Sequence, residues 1–315
     1  MAGIEKTDWI WKNGEFVSWD DAQIHVTSHV VHYGSSVFEG IRFYDTPEGP
    51  AVFRLTDHMR RFEDSAKIYR MELGYSVAEM VAACLELVGR NGISEGYLRP
   101  IAIRGEGGLG LDPMPCSVDT YLITWPWGQY LGSAALVQGV DACVSSWTRP
   151  APNTHPSLAK AGGNYLNSQL MKMEAVANGY AEAIALGVTG TVSEGSGQNL
   201  FLVKDGVLIT PRLDGTMLHG ITRDTVIKLA HNLGIPVQQE IVPREALYLA
   251  DELFFSGTAS EISPIRSVDR IRIGTGSVGP VTQSLQDEYL GVARGRLPDR
   301  HGWLDFVKQP VGASV

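Results

Sequence analysis

Residues 105–115, Gly-Glu-Gly-Gly-Leu-Gly-Leu-Asp-Pro-Met-Pro, carry the spacing G-x-G-x-x-G behind a strand-like run. How this stretch is read decides between a doubly wound nucleotide-binding sheet and another architecture. A dinucleotide fingerprint needs a helix opening at the third glycine, where free amides receive the pyrophosphate. Pro113 and Pro115 follow instead, and proline lacks the amide hydrogen that a helix interior requires. The stretch therefore reads as a loop, of the kind that can lie over an active site.

Outward from the loop, YLRPIAIR (97–104) and DTYLITW (119–125) read as strands, the second running into Pro126. Upstream, WIWKNGEFV (9–17) predicts a hairpin at Asn13-Gly14. A helix is expected from Thr56, and another behind the capping box Ser76 to Glu79, running toward Asn91-Gly92. Downstream, NYLNSQLMKMEAVANG (164–179) reads as a helix with a glycine at its end, and QNLFLVKDGVLITP (198–211) as a hairpin turning at Asp205-Gly206. Thr222–Leu233 is helical up to Gly234, and ELFFSG (252–257) is a short buried strand. Strands grouped with helices, without regular β-α-β spacing, give an α+β fold. The expected domains are 1–126, a linker at 127–137 and 138–315, with the tail KQPVGASV (308–315) loose.

Composition excludes several classes. The 315 residues are enough for about two domains, and 44% hydrophobic with 19% charged residues is ordinary for a soluble globular chain. There is no uncharged apolar run long enough to span a bilayer, and no secretory pattern at the N-terminus, so a cytoplasmic location is expected. The three cysteines, Cys84, Cys116 and Cys143, form no close pair and read as buried small hydrophobes. A net charge of -9 disfavours a nucleic-acid partner. His29 and His32 find no third ligand, so no metal is expected.

PSLAKAGGNYLNS (156–168) sets a lysine among small residues. Only a neutral amine condenses with an aldehyde, and an ordinary lysine near pKa ~10.4 holds little of that form; by itself, such a lysine before a helix is usually a solvated surface residue. HGITRDTV (219–226) offers Gly220, Ile221 and Thr222 at a helix start, either as a phosphate seat or simply capped by Thr222. SGTAS (256–260) offers small donors after a buried strand, and Glu194 in TVSEGSGQNLF (191–201) precedes an apolar strand. Each of these has a plain alternative as a polar turn or a solvated carboxylate.

Taken together with YGSSVFEGIR (33–42), HMRRFEDSAKIYR (58–70), GYLRP (96–100) and WPWGQYLG (125–132), these segments resemble the branched-chain amino acid aminotransferases of the fold-type IV pyridoxal-phosphate family, over nearly the whole chain. The resemblance implies a smaller N-terminal α/β domain and a larger C-terminal domain with a mixed, β-barrel-like core. It implies that Lys160 attaches pyridoxal 5'-phosphate covalently, that Glu194 pairs with the ring nitrogen and that Tyr165 meets the ring hydroxyl. Arg61, Ile221, Thr222 and Thr258 would hold the phosphate. Tyr97 with Thr258 and Ala259 would receive the substrate α-carboxylate, and Arg99 the distal carboxylate of glutamate, in a pocket with Phe38, Gly40, Trp127 and Tyr130. Tyr33 and Leu111 would reach a neighbouring subunit's pocket, requiring a homodimer or a higher assembly up to a hexamer. The implied reaction moves the amino group of leucine, isoleucine or valine to 2-oxoglutarate with ping-pong kinetics. D-amino acid and (R)-amine transaminases, aminodeoxychorismate lyases and a non-catalytic phospholigand-binding protein are the alternatives. Glu106 and the additional Gly107 depart from the commonest loop pattern.

Overall fold

Asn13 and Gly14 turn the chain with φ of 47° and 95°, the positive values a two-residue hairpin needs, between β1 (Trp9–Lys12) and β2 (Glu15–Ser18). The computed structural model describes residues 4–128 and 133–307. Two units divide the chain: the first takes it up to Gly128, then Ala159–Gly163 and the chain from Gly291 on, and the second takes the rest. A single boundary at 127–137 omits these two returns, because short segments far along a chain complete a sheet or core without leaving a composition signal.

The first unit continues with α1 (His29–Tyr33), β3 (Ser36–Phe38), β4 (Ile41–Tyr44), β5 (Ala51–Phe53), α2 (Leu55–Ile68), α3 (Val77–Asn91), β6 (Gly96–Arg104) and β7 (Val118–Pro126). The sheet runs β5-β4-β6-β7-β1-β2, with β3 also on β6. Ser76 and Glu79 form the expected capping box, and Gly92 closes α3 in the left-handed region. Met59 and Phe62 of α2 and Leu87 of α3 pack with Phe43, Leu98 and Leu122 into one core. Because β6 and β7 pair antiparallel, the glycine loop joins two adjacent strands of a hairpin and opens no helix. It is tied to α1, the Tyr33 hydroxyl donating to the Leu109 carbonyl at 2.7 Å and His29 Nε2 to that of Gly110 at 3.0 Å.

The second unit holds α4 (Ser133–Gln138), β8 (Val140–Val144), α5 (Tyr165–Ala177), β9 (Glu182–Leu186), β10 (Val192–Gly195), β11 (Asn199–Lys204), β12 (Val207–Pro211), α6 (Ile221–Asn232), β13 (Val237–Glu240), α7 (Ala246–Leu249), β14 (Glu252–Gly257), β15 (Glu261–Val268) and β16 (Ile271–Arg272). Its sheet runs β10-β9-β8-β15-β14-β11-β12-β13, with parallel pairs β8/β9, β8/β15 and β12/β13. Its two ends curl together, for Val192 N–H donates to the Val242 carbonyl at 2.8 Å. The result is a mixed, barrel-like α+β core. The β11–β12 turn has the expected Asp205 and Gly206 at φ 48° and 78°. Lastly come α8 (Pro280–Ala293) and β17 (Leu304–Phe306), which pairs with β5. Among the described residues no helix is long and apolar enough to cross a membrane.

Candidate active site

The candidate residues divide between the units. In the first, Lys160 lies in a strand-like segment bridged to β3 through Val37 and Ala161. Its carbonyl accepts from Phe38 N–H at 2.9 Å, and its own N–H donates to Ser65 Oγ at 3.0 Å. Alternation explains its small neighbours: Ala159 and Ala161 turn into the core, so Lys160 between them faces the other way. Gly162 answers a packing demand, since a Cβ there would meet Ser36 Oγ at 2.3 Å.

The same alternation sorts β6. Leu98 enters the core, and Tyr97 and Arg99 share the opposite face. The Phe38 ring centroid is 4.9 Å from Lys160 Nζ and 4.8 Å from the Arg99 guanidinium carbon, within cation–π range. Trp127 meets Tyr97 edge-on at 4.4 Å. Gly40 leaves room for Tyr97, whose hydroxyl oxygen would be 1.9 Å from an added Cβ. Among the described residues Arg99 Nε has no hydrogen-bond partner although it is buried.

Arg61, on α2, donates from Nε to Glu39 Oε1 at 2.6 Å and from Nη2 to Oε2 at 2.8 Å. His58 Nδ1 lies 2.7 Å from Glu39 Oε2, so the hydrogen on that nitrogen is assigned from the network. Burial opposes ionisation of Glu39, but the Arg61 and His58 contacts overcome it and hold the carboxyl well below the usual range. Burial pushes His58 down from its ordinary value, which suits a neutral imidazole donor. Tyr33 and Leu111 are exposed, at 46% and 83%.

In the second unit, Glu194 ends up buried on β10. Arg149 Nη2 stands 3.1 Å from its Oε1, and Asn199 Nδ2 and Leu218 N–H donate to Oε2 at 3.1 and 3.4 Å. Arg149 also reaches Asn167 Oδ1 at 3.0 Å and Ser168 Oγ at 3.3 Å, linking Glu194 to the first turn of α5, which Tyr165 opens. Ile221 and Thr222 begin α6. Its N-cap is Gly220, with no side-chain cap; Thr222 is buried inside the helix and does not cap it. Thr258 and Ala259 sit in the turn between β14 and β15, flanked by Ser256 and Ser260, whose buried hydroxyls find no partner among the described residues. Tyr130 lies outside the described residues.

The Amino-transferase class IV family matches residues 36–268. The chain belongs to the class IV aminotransferases. This aminotransferase is 54% identical over 306 residues to the branched-chain-amino-acid aminotransferase of Escherichia coli (strain K12), covering 97% of this chain and 99% of that one. A relative of the same description from Pseudomonas aeruginosa is 42% identical, covering 98% of this chain and 100% of its own. The crystal structure of the Escherichia coli enzyme superposes with a TM-score of 0.94 over 96% of this chain and 100% of that one, at 54% identity. That of a T.th. branched-chain amino acid aminotransferase with pyridoxamine 5'-phosphate gives 0.93 over 96% and 99%, at 47% identity.

The cofactor of this class IV aminotransferase is pyridoxal 5'-phosphate. The residues present fit it: α6 starts on an uncapped glycine suited to an anion, and the contacts on the buried Glu194 carboxylate come from donors. Sequence reasoning missed Glu39, His58, Arg149 and Asn199. The available signal was a charged or polar residue inside an otherwise apolar stretch, such as Glu39 in SVFEGI, since such groups are buried only when partnered.

Proposed function

We propose that the chain is a branched-chain L-amino acid aminotransferase, passing the amino group of leucine, isoleucine or valine to 2-oxoglutarate. The observation that carries this reading is the Phe38 ring, within 5 Å of both the Lys160 amine and the Arg99 guanidinium. An apolar wall beside a guanidinium suits a pocket that takes an isobutyl group by contact and a carboxyethyl group by ion pairing.

When bound, pyridoxal phosphate supplies an aldehyde for covalent attachment and a ring that accepts electron density. Lys160 Nζ would be the attachment point and, as a free amine, would carry the substrate α-proton, a role worth roughly 10²- to 10⁴-fold in rate. Glu194 would hold a proton on the ring nitrogen, and Tyr165 would contact the ring hydroxyl. Arg61 binds the phosphate together with the amides of Ile221 and Thr222 and with Thr258. Tyr97, Thr258 and Ala259 would orient the α-carboxylate; Phe38, Gly40 and Trp127 would shape the side-chain pocket. Tyr33 and Leu111 serve a neighbouring copy's pocket in a homo-oligomer.

The purified protein is expected to be yellow, to bleach with L-leucine and to recover its colour with 2-oxoglutarate. Lys160→Ala abolishes turnover while phosphate-anchored cofactor still binds weakly. Wild-type turnover in that variant, or faster reaction with D-leucine or (R)-1-phenylethylamine than with L-leucine, overturns the reading.

A further inference from the structure

Asn199 opens β11 with its side chain buried. Its Nδ2 donates to Glu194 Oε2 and to the Leu218 carbonyl, each at 3.1 Å. Its Oδ1 faces Gly220 so closely that a Cβ there would lie 1.9 Å away. On the neighbouring strand it pairs with Ser256, two residues before Thr258. All of these residues belong to the second unit. One short amide thus holds the carboxylate with its donor end and abuts the start of α6 with its acceptor end. Only a primary amide offers both in one rigid plane; aspartate at this position would set a second carboxylate against Glu194.

We propose that Asn199 is a positioning residue that fixes the Glu194 carboxylate relative to the start of α6, and so sets the match between the ring-nitrogen contact and the phosphate seat. The proposal rests on the roles given above to Glu194 and to the Ile221 and Thr222 amides. If it holds, loss of the amide weakens cofactor binding at both ends together. A residue that merely stabilised the sheet would lower thermal stability and leave both ends alone.

The test uses the full chain carrying Asn199→Ala, Asn199→Asp, Gly220→Ala or Glu194→Gln. Dissociation constants for pyridoxal phosphate and for pyridoxal are taken from absorbance titrations, with the pH midpoint of the bound absorbance band and the Tm. Asn199→Ala is expected to weaken pyridoxal phosphate binding about ten-fold, to shrink its advantage over pyridoxal and to move the midpoint by about one pH unit, the scale of a hydrogen bond to a charged group. Asn199→Asp should move the midpoint further, and Gly220→Ala, by displacing Oδ1, should reproduce the lost advantage. If Asn199→Ala does not fold, the near-isosteric Asn199→Asp carries the test of the midpoint and Gly220→Ala that of the lost advantage. Asn199 variants that keep the wild-type midpoint and advantage while Glu194→Gln moves the midpoint overturn this proposal alone. A midpoint that Glu194→Gln also leaves in place overturns the Glu194 reading beneath it.

Discussion

Glu39 grips Arg61 with both carboxylate oxygens, at 2.6 and 2.8 Å, while itself wholly withdrawn from water. A buried carboxylate is tolerable only with such partners, and this one occupies two guanidinium nitrogens and fixes the plane of the group. Ser65 extends the arrangement: its hydroxyl donates to the Arg61 carbonyl at 2.8 Å and accepts from Lys160 N–H at 3.0 Å.

Removing the charge at Glu39 strands Arg61. Glu39→Gln is expected to cost about 3–5 kcal/mol of stability at pH 7, the usual penalty for breaking a buried pair from one side. Because the folded carboxyl lies below its ordinary value of 4.5, the wild-type contribution is complete above that value and is lost as pH falls from there toward the folded value. Denaturant titrations should therefore find the gap between wild type and variant wide at pH 7 and narrower at pH 3. A gap that widens in acid contradicts the ion-pair account.

Gly40 tests the pocket wall. A methyl group there would meet Tyr97 at 1.9 Å from its hydroxyl oxygen and 2.7 Å from Cζ, so the ring must move. Gly40→Ala is expected to raise KM for leucine about ten-fold or more, with circular dichroism unchanged, since roughly a 1 Å displacement near the reacting groups is costly. Unchanged kinetics would show that Tyr97 does not contact substrate.

Arg99 separates the two substrate classes. Its guanidinium rests against Phe38, Tyr97 and Trp125 at 4.8, 5.6 and 5.9 Å. Arg99→Ala should lower kcat/KM for glutamate by about 10- to 100-fold more than for leucine, the range of a charge-assisted hydrogen bond. Equal losses on both substrates reject the shared-pocket reading.

Much of the local structure was legible because local chemistry specifies it. Asn13-Gly14 and Asp205-Gly206 are turns at positive φ, and Ser76 with Glu79 caps α3. Pro113 and Pro115 kept residues 105–115 from being taken for a dinucleotide site, and the β6–β7 pairing agrees. Thr222 was harder to read, because a hydroxyl near a helix start can cap or be buried, and only the backbone at Gly220 separates the two.

The sequence by itself determined the two hairpins, the capped helices and the strands quoted from it, the α+β class and, through ordered motif residues, the family. Tertiary structure alone decided which polar groups meet. Glu39 with Arg61, Arg149 with Glu194 and Asn199 with Leu218 are separated by 22, 45 and 19 positions. No local propensity encodes such pairs; they form because burial of polar groups is affordable only where the folded chain brings a donor to each acceptor.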